Sequence, residues 1–351
     1  MNVLADRHHA GLYRSLQLLG DRLGWNLYTP VGMDWWDAGI WNFGRKTWGD
    51  DRLARQFIAG PEWVQGWWGE GYRDTVDPEF PPSPVEPGVY PPETIHGVTL
   101  AQARNMPWDL VIASAEDNQW GFAAFAKGVG ARFVVQVGNT GQHVDWSLDP
   151  LALVSSEVPI VGRGVRYHQE MDPAATRFVD PGTAWHRAQR AITSFVNCFP
   201  SIGPCYDGWK AMEAALPEFG FEEYGIDGAH GVLKPIGRLA DRMADALFGY
   251  HDKVHGDGFG HVIHGWAAVG RPLIGHGSHY AGKMAHHFWQ HGRTAIDLDV
   301  VSIPEAARMV REIAADPDRH AEMCHAIRAE YERIDHAAEA EAIRALLGGN
   351  K

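Results

Sequence analysis

Apolar positions along the chain fall into short continuous runs that alternate with segments of helical period. Asn2-Val3-Leu4-Ala5 is the first run, a polar loop Asp6-Arg7-His8-His9-Ala10-Gly11 follows, and Leu12, Leu16, Leu19 and Leu23 then recur at the spacing of one helix face. The order strand, polar loop, helix returns downstream. Asp109-Leu110-Val111-Ile112-Ala113 reads as a buried strand, Phe122 to Val129 as a helix, and Arg132-Phe133-Val134-Val135-Gln136-Val137 as the next strand. A second series opens near Ile192-Thr193-Ser194-Phe195-Val196-Asn197, continues through a helix around Trp209 to Leu216, and includes an amphipathic segment from Ile236 to Leu247. Such alternation predicts α/β architecture with parallel sheets.

The alternation is interrupted by an aromatic-rich insert from Trp35 to Tyr72 and a proline-rich excursion from Asp77 to Pro92, which suits neither strand interior nor long helix. A surface lobe or lid is expected there. Its tryptophans, Trp35 and Trp36 among them, serve either as a local core or as a stacking platform. Near the other end, Ser302-Ile303-Pro304-Glu305 predicts a capping box opening a helix that runs to Ala315. After Pro317 the chain reads as helical to Leu347, so a terminal helix can pack back on the first domain.

A length of 351 residues suits two domains. The expected boundaries are 1–185 for an N-terminal Rossmann-like domain with the insert at about 35–95, 186–330 for a C-terminal one, and 331–351 for the returning helix. The formal net charge of -13 repels phosphate backbones and anionic membranes on average. No run approaches the roughly 20 apolar residues of a membrane span, and the chain enters a strand at once without a signal peptide's pattern, so a cytoplasmic protein is expected. Cys198, Cys205 and Cys324 are odd in number and lack a metal-type spacing, which argues for plain thiols.

The segment richest in chemistry is Asp257-Gly258-Phe259-Gly260-His261, continuing through a helix to Gly270-Arg271-Pro272-Leu273-Ile274. Glycines let backbone approach a ligand, and a helix starting there turns N–H groups and the positive end of its dipole toward it. This stretch resembles the donor-binding signature of GT-B glycosyltransferases, clearly over about Ile236 to Ala315 and architecturally elsewhere. The resemblance implies two Rossmann-like domains facing across a cleft, with a C-terminal helix packing back on the N-terminal domain. It implies the activity of a hexosyltransferase, moving sugar from a nucleotide sugar, UDP-glucose foremost, to a hydroxyl. Asp257 would lie near the donor sugar, with Gly258, Phe259, Gly260 and His261 around the phosphates. Gly265 stands where the family carries a ribose-holding glutamate. In the next turn, Gly275 to Lys283, Ser278 and Tyr280 offer hydrogen bonds and Lys283 offers charge to the donor; Lys210 and Lys234 are weaker phosphate candidates.

The first loop should carry the base. An imidazole titrates near neutral pH and can take a proton from an acceptor hydroxyl. The resemblance assigns that role to His9, with His8 second and Asp6 a rival, and gives the orienting aspartate as Asp117. Asn118 and the polar turn around Asn139 are candidates for the acceptor side, with Trp35 and Trp36. His287 and His291, four apart on an expected helix, and His251 and His255 at the same interval invite a metal reading, but no zinc-protease glutamate or third ligand accompanies them. No divalent metal or other cofactor is expected beyond the nucleotide sugar. The acceptor is open among a small molecule, a glycan and a hydroxymethylated base in DNA, the last resembling phage enzymes; Arg45, Lys46, Arg52 and Arg55 could meet its phosphates. Two other readings stand beside transfer: a nucleotide-sugar 2-epimerase and a non-catalytic nucleotide-sugar binder.

Overall fold

A computed structural model of the chain describes residues 1–6, 10–30, 96–98, 100–173, 176–184, 190–233 and 237–348. The aromatic and proline-rich insert, with Trp35 and Trp36, lies outside them, as do His8, His9 and Lys234. The chain divides into two compact units, Met1–Glu170 with His336–Lys351, and Met171–Asp335.

Unit 1 is built on a sheet in which every pairing is parallel. Its strands are β1 (Asn2–Ala5), β2 (Asn26–Pro30), β3 (His96–Val98), β4 (Leu110–Ala113), β5 (Arg132–Val137), β6 (Leu151–Val154) and β7 (Gly164–Arg166), in the order β3-β2-β1-β4-β5-β6-β7. The central strands are apolar on both faces, as a sheet covered on both sides requires. Leu4, Val111, Ala113, Val135 and Val137 pack on Phe122 and Ala126 of helix α2 (Gln119–Val129). Val3, Ala5, Leu110, Ile112 and Val134 face the other way, onto Tyr13, Leu16 and Leu19 of α1 (Ala10–Leu23). The C-terminal helix α8 (His336–Gly348) adds Ala340, Ile343 and Leu347 to this second layer. Glu339 pins it there, accepting from the backbone N–H of His168 at 2.8 Å and from its Nδ1 at 2.6 Å.

Unit 2 has a second parallel sheet of β8 (Ala191–Phe195), β9 (Gly220–Tyr224), β10 (Phe248–Tyr250), β11 (Leu273–Gly275) and β12 (Ala295–Asp297), in the order β12-β11-β10-β8-β9. Ile192, Phe248, Tyr250, Ile274 and Ile296 pack on α3 (Pro204–Ala215) and α6 (Ile303–Ala315). Phe195, Leu273 and Ala295 pack on α4 (Gly237–Asp245) and α5 (His261–Val269), with Ile327 of α7 (Pro317–Glu332). The first strand of the unit lies between the second and the third, so strand order reverses between β8 and β10, the place where open α/β sheets hold ligands. Among the described residues no helix is long and apolar enough to cross a membrane.

One local expectation changes. Ser302 does occupy the N-cap of α6, but its side chain makes no capping bond, and Glu305 is bound by Arg308 one turn on instead of reaching back. A full countercharge outcompetes a backbone N–H for an exposed carboxylate. The Gly-Arg-Pro step is structural: Gly270 ends α5 in the left-handed region at φ 73°, and Arg271 is buried. Its guanidinium donates to Ala244 O at 3.0 and 2.6 Å, Val179 O at 3.1 Å and Gly270 O at 3.0 Å. It thereby satisfies carbonyls at the ends of two helices, which their own backbones leave without donors.

Arg271→Met should therefore cost about 3–5 kcal/mol in chemical denaturation, with little recovery in Arg271→Lys, because an ammonium lacks the planar fork. A second expectation concerns His320 on α7, buried with Nε2–H donating to Leu247 O at 2.9 Å. Burial pushes its imidazole down to about 4, so the unfolded chain takes up the proton first as pH falls. Stability present above about pH 6.5 should be lost between there and about pH 4, by roughly 3 kcal/mol from this group. Unfolding curves of wild type and His320→Asn over that window measure the difference in slope.

Candidate functional site

In unit 2 the loops that leave the carboxyl ends of β10 and β11 meet. The first runs from His251 to Gly260 and turns through Gly256 at φ 58° and Gly260 at φ 80°. A Cβ on Gly256 would come within 2.3 Å of His279 O, and one on Gly260 within 2.7 Å of the Ala285 Cβ, so side chains are excluded at both. Phe259 turns inward, 2% exposed and stacked on His264 at 3.8 Å between ring centroids. The aromatic residue of the motif anchors the loop to α5. Gly260 then caps α5 with no side-chain cap bond.

Asp257 opens this turn with 24% of its side chain exposed. His251 Nε2 donates to its Oδ2 at 2.8 Å and Lys253 donates to Oδ1. Burial works to raise this carboxyl, but the hydrogen bond and charge of His251, joined by Lys253, prevail and hold it well below the usual carboxylate range. The His261 imidazole, at the first position of α5, goes the other way: burial lowers it to about 4 against the pull of Asp257. A fixed anion and a neutral imidazole thus flank the start of α5 at neutral pH.

Behind them lies Asp252, fully buried, whose two oxygens accept from His276 Nδ1 and His279 Nδ1, each at 2.8 Å. The bond to Asp252 raises the His276 imidazole. Other residues of the second loop have structural partners. Ser278 donates from its backbone N–H at 2.6 Å and from its hydroxyl at 3.0 Å to Asp299, Tyr280 is buried and stacked on Trp289, and Lys283 donates to His255 O. Lys283 is therefore the member of this group that is bonded across to the Asp257 loop, at His255. Lys210 pairs with Glu213. His287 and His291 do not share a helix face: a short 3-10 turn ends at Phe288, His287 Nδ1 donates to Met284 O at 2.7 Å, and His291 Nδ1 accepts from Asp297 N at 3.2 Å. His251 is buried while His255 is exposed.

Gly265, where the resembled signature carries a glutamate, is closely packed. A Cβ on Gly265 would meet Met243 Sδ and Cε at 3.2 Å and Met171 Cε at 3.5 Å. The site faces thioethers, and an acidic side chain there would have to displace them.

In unit 1, Asp6 sits just past the end of β1 and is buried. It accepts from Ser114 N at 2.7 Å, Ala115 N at 3.0 Å and Asn118 Nδ2 at 2.9 Å. Asn118 is thus buried as a partner of Asp6, while Asp117 belongs to the single 3-10 turn Glu116–Asn118. Asn139 is exposed in a turn that Gln142 closes by donating to Ser114 O and Gln136 O. Sequence reasoning passed over Asp252, Lys253, His276 and His279 as chemistry. Their one signal was polar residues directly after short apolar runs, as in Phe248-Gly249-Tyr250-His251-Asp252-Lys253.

No family model matches the sequence, and no curated protein matches it. Solved structures do. Over 100% of both chains the fold resembles that of Anabaena Alr3699/HepE in complex with UDP-glucose, with a TM-score of 0.59 at 13% identity. It also resembles an alpha-glucosyltransferase in complex with UDP-glucose and DNA containing an abasic site (TM-score 0.57, 10% identity, 98% of each chain). AviGT4, a glycosyltransferase involved in avilamycin A biosynthesis, is similar at a TM-score of 0.53 and 14% identity over 99% of this chain and 98% of that one. These likenesses show the fold: α/β, with the two Rossmann-like units of the GT-B class.

Because Gly265 faces Met243 and Met171, placing a glutamate there should harm the protein. Gly265→Glu is expected to lower stability by about 1–3 kcal/mol, as overpacking and a buried charge both oppose it. Equal or higher stability in urea would show that the methionines yield freely.

Proposed function

We propose that the chain is a glycosyltransferase that moves a hexosyl group from a nucleotide sugar, a UDP-sugar foremost, to an acceptor hydroxyl. The observation that carries this reading is Asp257, held as an anion by His251 and Lys253 at the mouth of the glycine turn that leads into α5. A carboxylate so fixed accepts hydrogen bonds from sugar hydroxyls, while the N-terminal end of α5 suits the diphosphate. Lys283, bonded to this loop from the one after β11, adds positive charge for a phosphate. The UDP-glucose held by two of the similar structures supports this choice of donor.

For the acceptor half, His9 is the proposed base, with His8 as its alternate and Asp117 orienting the imidazole. Asp6, already engaged by three donors, is better suited to holding the first loop in place than to taking a proton. The first acceptor to try is a 5-hydroxymethylated pyrimidine in DNA, supported by the DNA held by one similar structure. Small hydroxylated metabolites and glycan ends follow. No cofactor is needed for the transfer itself, since charge on the leaving diphosphate is met by the helix end and basic side chains.

Calorimetry with UDP-, GDP-, ADP- and dTDP-sugars tests the donor half. UDP-glucose should bind, and Asp257→Ala should weaken it at least tenfold while the variant keeps its thermal transition. Absence of binding by every donor would end this reading. With an acceptor present, appearance of a glycosylated product separates transfer from 2-epimerisation, which would yield an altered sugar and no glycoside.

A further inference from the structure

Unit 2 contains a polar cluster that the donor reading leaves unused. Cys205 stands at the start of α3, Asp252 just past β10, and His279 in the turn after β11. One ligand-type atom from each lies within 4.8 Å of the other two. Cys205 is 2% exposed and Asp252 is fully buried. Cys205 and Asp252 therefore meet beneath the surface past the carboxyl ends of β8 and β10, where the order of the sheet reverses, and the partly exposed His279 joins them from the turn after β11.

A second observation points to the same place. The hydroxyls of Tyr250 and Tyr280 are buried and, among the described residues, have no hydrogen-bond partner. Tyr250 stands two residues before Asp252, and Tyr280 directly follows His279. Buried hydroxyls left over beside a thiol, a carboxylate and an imidazole are what an ion with its bound water accounts for.

We propose that Cys205, Asp252 and His279 bind a divalent transition metal, zinc foremost, as a three-ligand site with its fourth position open to water. Sulfur, nitrogen and oxygen in one set suit zinc, whereas magnesium and calcium favour oxygen alone. On binding, a metal–sulfur bond replaces the S–H bond of Cys205 and the proton leaves to solvent. The ring of His279 turns a nitrogen lone pair to the metal and keeps its single proton on the other nitrogen. Thiolate and carboxylate together balance the two positive charges. His276 retains its bond to the second oxygen of Asp252 and holds that ligand in orientation, as outer-shell partners of metal sites do.

The test uses the full chain with its thiols reduced and requires no nucleotide, so its failure is separate from that of the donor reading. After chelator treatment the protein is titrated with Co2+ and then with Zn2+. One equivalent of Co2+ should bind, with a sulfur-to-cobalt charge-transfer band in the near ultraviolet, and Zn2+ should bleach it. Cys205→Ser should abolish the band and His279→Ala should weaken binding at least tenfold. Cys198→Ser, which removes the exposed thiol, should leave the spectrum unchanged. If Cys205→Ser fails to fold, His279→Ala with its folded circular-dichroism spectrum decides. No stoichiometric uptake by wild type, a band that survives Cys205→Ser, or unchanged affinity in His279→Ala would each overturn the proposal.

Discussion

A carboxylate taken out of water must find its donors inside the protein, and each unit of this chain places one such group just past the end of a central strand. In unit 1 it is Asp6 after β1, satisfied by two backbone N–H groups and an amide from the segment after β4. In unit 2 it is Asp252 after β10, satisfied by two imidazoles from the turn after β11. In both, the bond joins the carboxyl ends of neighbouring parallel strands, adding to the last backbone bonds there, Asp6 N to Ile112 O and His251 N to Ile274 O. The loops after these strands are thereby fixed to the sheet: Ser114 to Asn118 in one unit, Gly275 to Lys283 in the other.

That arrangement explains what was legible in the sequence. Asn2–Ala5 and Arg132–Val137 were read with their observed limits because they are apolar on both faces and bounded by polar residues. Strand β9, Gly-Phe-Glu-Glu-Tyr, was not read, since two carboxylates in a five-residue run look like a surface loop. Its glutamates are tolerated because Arg242 binds Glu222 and Trp209 Nε1 donates to Glu223 at 3.2 Å. Partners fourteen and twenty residues away leave no mark at the local period that sequence reasoning uses.

The site divides along the same line. Asp257 and its glycines were legible because turn geometry is local. Phe259 and Arg271 sit in the same signature for packing and helix-end satisfaction, a role that only contacts reveal. Asp252, His276 and His279 were invisible as a group, since each is an ordinary polar residue until the fold brings separate loops together. Gly265 is the converse case: its difference from the resembled signature is plain in the sequence, but the approach of Met243 and Met171 to that position needs the structure.

A chain with a net charge of -13 must still receive an anionic donor if the proposed reaction is its own. Long-range attraction cannot do this, so the site has to rely on groups within a few ångströms, where screening is weak and orientation counts. Lys253 lies on the Asp257 loop, Lys283 is bonded to it at His255 O, and His276 is favoured in its charged form by Asp252. Asp257, as an anion, neutralises part of this charge in the free protein. Exchange of its bonds for sugar hydroxyls would release Lys253 toward the phosphates, so that one rearrangement serves both ends of the donor.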